Sequence, residues 1–147
     1  MYERILVATD GSALSDKAVS HALSIAKMNQ ATLIALKVVP RYPRSYLEGG
    51  ATVDPSEIKR IEAQWTEQAQ AVLNKIKTDG KAIGVTVKTS VAKSDLIAES
   101  IISAAAKQNA DLIVMASHGR KGLKRLLLGS ETQHVLTHSE VPVLVLR

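Results

Sequence analysis

Arg4-Ile5-Leu6-Val7-Ala8-Thr9-Asp10-Gly11-Ser12 (RILVATDGS) is an apolar run that breaks at a cluster of turn formers. Such a run reads as a buried strand entering a tight turn. Downstream, Ala18, Val19, Ala22, Leu23 and Ala26 recur at helical spacing and predict a helix over Ser15–Met28. Ala31–Val39 (ATLIALKVV) then reads as a second strand. Strand, turn, helix and strand in this order make a βαβ unit, and the alternation continues to the end of the chain.

Pro40–Asp54, with two prolines, a Gly-Gly pair and two tyrosines, reads as a long loop. Asp54-Pro55-Ser56-Glu57 predicts a helix start, with Asp54 as N-cap, Pro55 at the first helical position and Glu57 closing a capping box. Ile58, Ile61, Trp65, Ala69, Val72 and Ile76 form one stripe, which reads as core, and Gly80 is the expected stop. Val85–Val91 alternates strictly and therefore belongs at a sheet edge with one wet face. Ser94 and Asp95 are expected to cap a third helix reaching about Gln108. A strand over Asp111–Ser117, a loop, a short helix from Glu131 to about Thr137 and a strand over Val141–Leu146 complete the chain.

This pattern predicts an α/β fold over residues 1–147: a single domain with one doubly wound parallel five-stranded sheet and helices on both faces. Right-handed crossovers, an apolar first strand at the centre and the alternating third strand at an edge give the order 3-2-1-4-5. The composition suits it, because with aromatics at 3% and no Phe the core must come from Val, Ile, Leu and Ala.

The absence of cysteine removes thiolate chemistry and disulfides, and is compatible with a cytoplasmic location. Strand-like sequence begins by Ile5, so no signal peptide is expected, and no apolar run approaches the roughly 20 residues of a membrane span. A net charge of +5 invites an anionic partner. Nucleic acid is disfavoured, since stacking aromatics are scarce and no recognition-helix motif appears.

In the order 3-2-1-4-5 the chain reverses between strands 1 and 4, and ligands bind beyond the carboxyl ends of the strands at such a switch point. Two loops meet there: Thr9-Asp10-Gly11-Ser12 and Ala116–Ser130. Gly119 and Gly129 let backbone N–H groups approach an anion. Ser130 reads as the N-cap of the following helix, with Gln133 completing a capping pattern, and a helix N-terminus favours phosphate. The Ser130 and Thr132 hydroxyls are further candidate donors. Arg120, Lys121, Lys124 and Arg125 lie in the same loop, which holds no acidic residue; their bland reading is a solvated loop. Asp10 is either a turn former or an acceptor for ribose hydroxyls or base. Ser117-His118 beside Asp10 suggests a triad, but neighbouring side chains at a strand end are expected to diverge. Walker A and the G-x-S-x-G elbow are both absent, as are the H-x-G-H and S-G-G-x-D-S loops of other nucleotide enzymes.

Ala8-Thr9-Asp10, Val38-Val39-Pro40, the Val141–Val145 tail and Gly119-x(9)-Gly129-Ser130 together resemble the universal stress protein family over essentially the whole chain. Its ATP-binding members carry G-x-x-G-x(9)-G-[ST]; here Ala116 holds the first glycine position. An added methyl is a small change there if φ is negative and a serious one if φ is positive.

The resemblance implies ATP, with or without Mg²⁺, as cofactor. It implies Ala8, Thr9 and Asp10 at adenine and ribose, Val38 against the base, and Met115 and Ala116 lining the crevice. Gly119, Arg120, Gly129, Ser130, Glu131 and Thr132 would lie at the phosphates, with Glu131 contributing its backbone N–H alone. The implied role is a non-catalytic stress-response or signalling protein, with hydrolysis slow at most. A member of this fold that binds no ATP and acts through protein contacts is the alternative. Pairing of Val141–Leu146 with a second copy is expected, because an apolar terminal strand invites an edge partner and the family forms such homodimers.

Overall fold

The computed structural model describes residues 1–43, 53–119 and 128–147. Five strands, β1 (Arg4–Ala8), β2 (Thr32–Val39), β3 (Val87–Lys93), β4 (Leu112–Ala116) and β5 (Val143–Leu146), alternate with four helices. The helices are α1 (Ala13–Asn29), α2 (Pro55–Ala82), α3 (Ile97–Lys107) and α4 (Ser130–His138). All strand pairs are parallel, in the order β3-β2-β1-β4-β5, as the hydrophobic pattern predicts.

β1 lies at the centre, with Ile5 opposite Leu33 on one side and Leu112 on the other. Asp111 fastens its start, accepting the Glu3 N–H at 2.8 Å and the Arg4 N–H at 3.1 Å. Alternate residues face opposite layers. Ile5, Val7, Leu33 and Val114 pack under α1 and α2, whereas Leu6, Ile34, Ile113 and Met115 pack under α3 and α4. Burial on both faces is why the inner strands are unbroken apolar runs.

Several boundaries differ from expectation. β3 is an edge strand but begins at Val87, and β5 begins at Val143. Val85 and Val141 nonetheless pack against the core outside the ladder, Val85 buried and Val141 half-buried. Gly80 does not end α2; it sits in the last turn, where a Cβ would run into the Val87 side chain, so glycine lets the helix lie close on β3.

The Asp54 carboxylate accepts the Ser56 N–H at 2.9 Å, and this hydrogen bond holds its pKa below the ordinary value. Glu57 pairs with Arg60 at 3.5 Å instead of closing a capping box. Of the α2 stripe, Ala69 and Ile76 are buried, whereas Ile58, Ile61, Trp65 and Val72 are half-buried. The cause is length: 28 residues of helix span about 42 Å, nearly twice the roughly 23 Å of a seven-residue strand. Trp65 instead stacks on Tyr42, with centroids 6.3 Å apart. Among the described residues, no helix is long and apolar enough to cross a membrane.

Candidate functional site

Where β1 and β4 part at their carboxyl ends, the structure opens a crevice of about 150 Å³. Ala8, Thr9 and Asp10 form its β1 wall, and Met115, Ala116 and Gly119 its β4 wall. Val38 of β2 closes one side, and Glu131 and Thr132 of α4 close the other. These nine residues were all expected there. Gly129 and Ser130 flank the crevice without lining it, and Arg120, Lys121, Lys124 and Arg125 fall outside the described residues. His118 lines the crevice too, beside Asp10 as expected, and Ser15, Leu36, Ile97 and Ile101 do so unanticipated.

The β1–α1 turn is closed by its own hydroxyls. Thr9, 6% exposed, continues the β1 ladder through its N–H to Leu36 O at 3.0 Å. Its Oγ1 accepts the Gly11 N–H at 3.1 Å and lies 3.1 Å from Ser15 Oγ. Ser12 caps α1 by accepting the Ser15 N–H, and the Ser15 hydroxyl returns to Ser12 O at 2.9 Å. Asp10 takes the turn-forming role: its Oδ1 accepts the Ser12 N–H at 2.9 Å. Its Oδ2 faces Gly119, where a Cβ would lie 2.9 Å away. Only glycine allows that approach without displacing the carboxylate.

Ala116 sits in β4 opposite Leu146. Among the described residues the positive-φ non-glycines are Gln30 and Asn109, so the Ala116 methyl carries no backbone strain. Two bonds pin the ends of the following loop: Thr132 Oγ1 donates to Ala116 O at 3.0 Å, and Gly129 N donates to Ser117 O at 2.8 Å. Thr132 is 2% exposed and its one hydroxyl proton is committed to Ala116, so its hydroxyl is not the expected further donor.

Ser130 is the first helical residue and not the cap. Gly129 holds the cap position and supplies no side chain, while the Gln133 amide donates to Leu128 O at 3.2 Å. α3 likewise starts without a side-chain cap of its own, at Leu96. The expected capping residues bond elsewhere: Ser94 accepts the Leu96 N–H, and Asp95 accepts the Arg41 N–H. The Glu131 carboxylate is turned to α3, where it accepts the Ala98 N–H at 2.8 Å.

Ser117 Oγ and His118 Nδ1 do not diverge but approach to 3.2 Å. Ser117 is nevertheless 6% exposed and does not line the crevice, so its hydroxyl is not presented as a nucleophile. Among the described residues, no group of three His, Asp or Glu side chains could hold a metal ion.

The crevice can therefore take a flat apolar group against Val38, Leu36, Met115 and Ile101. It offers Asp10 as an acceptor beside them, and the first turn of α4 at its far wall favours an anion.

Comparisons with known proteins bear on the family and the fold. The sequence profile of the universal stress protein family matches residues 1–147. The universal stress protein MJ0531 of Methanocaldococcus jannaschii is 36% identical over 148 residues, covering all of this chain and 83% of that protein. Among solved structures, the universal stress protein UspA from Lactobacillus plantarum superposes with a TM-score of 0.83 at 25% identity, over 99% of this chain and 98% of that one. A universal stress protein in complex with cAMP follows, with a TM-score of 0.72 at 25% identity, over 99% of this chain and 97% of that one. With the glycine-flanked crevice at the switch point and a family match along its full length, this chain belongs to the universal stress protein family.

Proposed function

We propose that residues 1–147 act as one adenine-nucleotide-binding domain, with ATP as its fullest ligand, in a stress-response or signalling protein that is not an enzyme. The observation that carries this is α4: its first turn lines the crevice, and Gly129 at its cap position supplies no side-chain cap. A helix N-terminus in that state suits a phosphate. In this reading the base packs against Val38 and Met115, near Ala8 and Thr9, and Asp10 accepts from the ribose. The phosphates lie toward Gly119, Gly129 and Ser130, with Arg120 adding charge, and Ala116 lining the floor. A relative that binds cAMP with a closely similar fold supports the choice of an adenine nucleotide. Mg²⁺ would enter with the phosphates, because the described side chains offer no cation site of their own.

A binding role is supported by Ser117, whose hydroxyl is buried and meets the Nδ1 of His118 without lining the crevice. Titration calorimetry on protein stripped of copurified nucleotide tests the reading. Saturable heat with ATP is expected; none at millimolar ATP with Mg²⁺ overturns it.

The same reading includes a cytoplasmic homodimer joined along Val141–Leu146. In its support, β5 pairs with β4 alone among the described strands and turns Leu144 outward at 36% exposure. Val145→Lys should give monomers by light scattering, and an unchanged dimer would count against the interface.

A further inference from the structure

Glu131 is an unexpected neighbour for a phosphate. It is exposed, it lies in the first turn of α4 and it lines the crevice. Its carboxylate nevertheless reaches into α3 and accepts the Ala98 N–H at 2.8 Å. α3 has no side-chain cap of its own, so this contact from another helix takes the place of one. Ile97 and Ile101, on either side of Ala98 in the sequence, line the crevice wall. One side chain therefore connects the wall on α3 to the anion-favouring end of α4. It also adds negative charge where a phosphate would lie.

We propose that Glu131 is a positioning and selectivity residue of the crevice. By holding α3 against α4 it sets the spacing between the apolar wall and the α4 N-terminus. Its charge lowers the affinity for polyphosphates relative to the uncharged nucleoside. The selectivity rests on the nucleotide reading above, whereas the clamp does not. Ala98, Ile101 and Ala105 of α3 also share a buried cluster with Val135 of α4, so loss of Glu131 should leave the fold intact.

Two variants separate charge from hydrogen bond. Glu131→Gln keeps a carbonyl acceptor for Ala98 and removes the charge; Glu131→Ala removes both. Calorimetry with ATP and with adenosine, and amide exchange at Ala98 by NMR, are measured on each full-length protein. For Glu131→Gln, ATP should bind roughly two- to fivefold tighter, the size of a charge effect at a helix terminus. That gain should shrink with added salt, while adenosine affinity and Ala98 exchange stay as in the wild type. For Glu131→Ala, Ala98 should exchange on the order of tenfold faster, as loss of one capping bond implies, and adenosine should bind more weakly.

An unchanged ratio of ATP to adenosine affinity in Glu131→Gln overturns the selectivity. Wild-type exchange at Ala98 in Glu131→Ala overturns the clamp. A wild-type protein that binds neither ligand defeats the nucleotide reading and the selectivity together, and the exchange measurement still decides the clamp.

Discussion

α1 and α4 begin at the same end of the sheet, on either side of the switch point, yet their first turns are finished in opposite ways. At α1, Ser12 caps the helix while Thr9, Asp10 and Ser15 close the turn around it. At α4, Gly129 occupies the cap position and has no side chain with which to close the turn. α2 is capped by Asp54, and α3 receives its acceptor from Glu131. Among the described residues, α4 shows no side-chain acceptor at its cap, and its first turn lines the crevice. Capping spends the attraction of a helix terminus on the protein itself, whereas an uncapped end keeps it for a ligand.

The contrast can be broken most forcefully at Gly129. Its backbone, at φ −60° and ψ 153°, suits any residue, and an added Cβ would meet its nearest neighbours at 3.4 Å. Gly129→Asp should therefore fold, cap α4 and place a negative charge at its end. ATP affinity by calorimetry should fall at least about tenfold while the melting temperature holds or rises. An unaltered affinity would show that α4 does not receive phosphate.

Ser12→Ala is the converse change. Loss of that cap should cost about 1 kcal/mol, seen as a fall of about 2–4 °C in Tm, with ATP affinity nearly unchanged below the transition. A large loss of affinity without loss of stability would move the ligand contacts to the α1 side.

The smallest effect is expected at Asp54. Its pKa is lowered in the folded state, so its contribution is complete above the unfolded value and fades as pH falls through the folded one. Asp54→Asn keeps a capping acceptor and cannot titrate. Thermal melts between pH 5 and 3 (a window of about this width brackets an ordinary carboxylate) should show a slightly flatter loss of stability than the wild type. Parallel curves would mean that the Ser56 contact contributes nothing to the pH dependence.

Most of the fold was legible because strands buried on both faces leave continuous apolar runs. Ladder ends were not, since Val85 and Val141 look like strand residues and pack against the core without pairing. At the crevice, Asp10 and Gly119 were legible as residue types that a turn and a close approach require. The Glu131–Ala98 contact was not. It joins a side chain to a backbone amide 33 residues away on another helix, and such a contact leaves no period or motif in the sequence. Ile97 and Ile101 stayed hidden for a related reason, because an apolar pair on a helix looks the same whether it faces the core or a crevice. The cap of α4 was misread because Ser130 and Gln133 fit a common capping pattern that Gly129 pre-empts.

The fastening of β1 by Asp111 has a consequence for the order in which the protein is made. Arg4 and Asp111 are 107 residues apart, so β1 cannot gain its second neighbour until the ribosome has added more than a hundred further residues. Until then β1, β2 and β3 can pair while one apolar flank of β1 stays bare, open to aggregation or to a chaperone. The two walls of the crevice meet only when β4 docks on that flank. A truncated product ending before Asp111 would therefore carry no half-working site; it would carry a sticky edge.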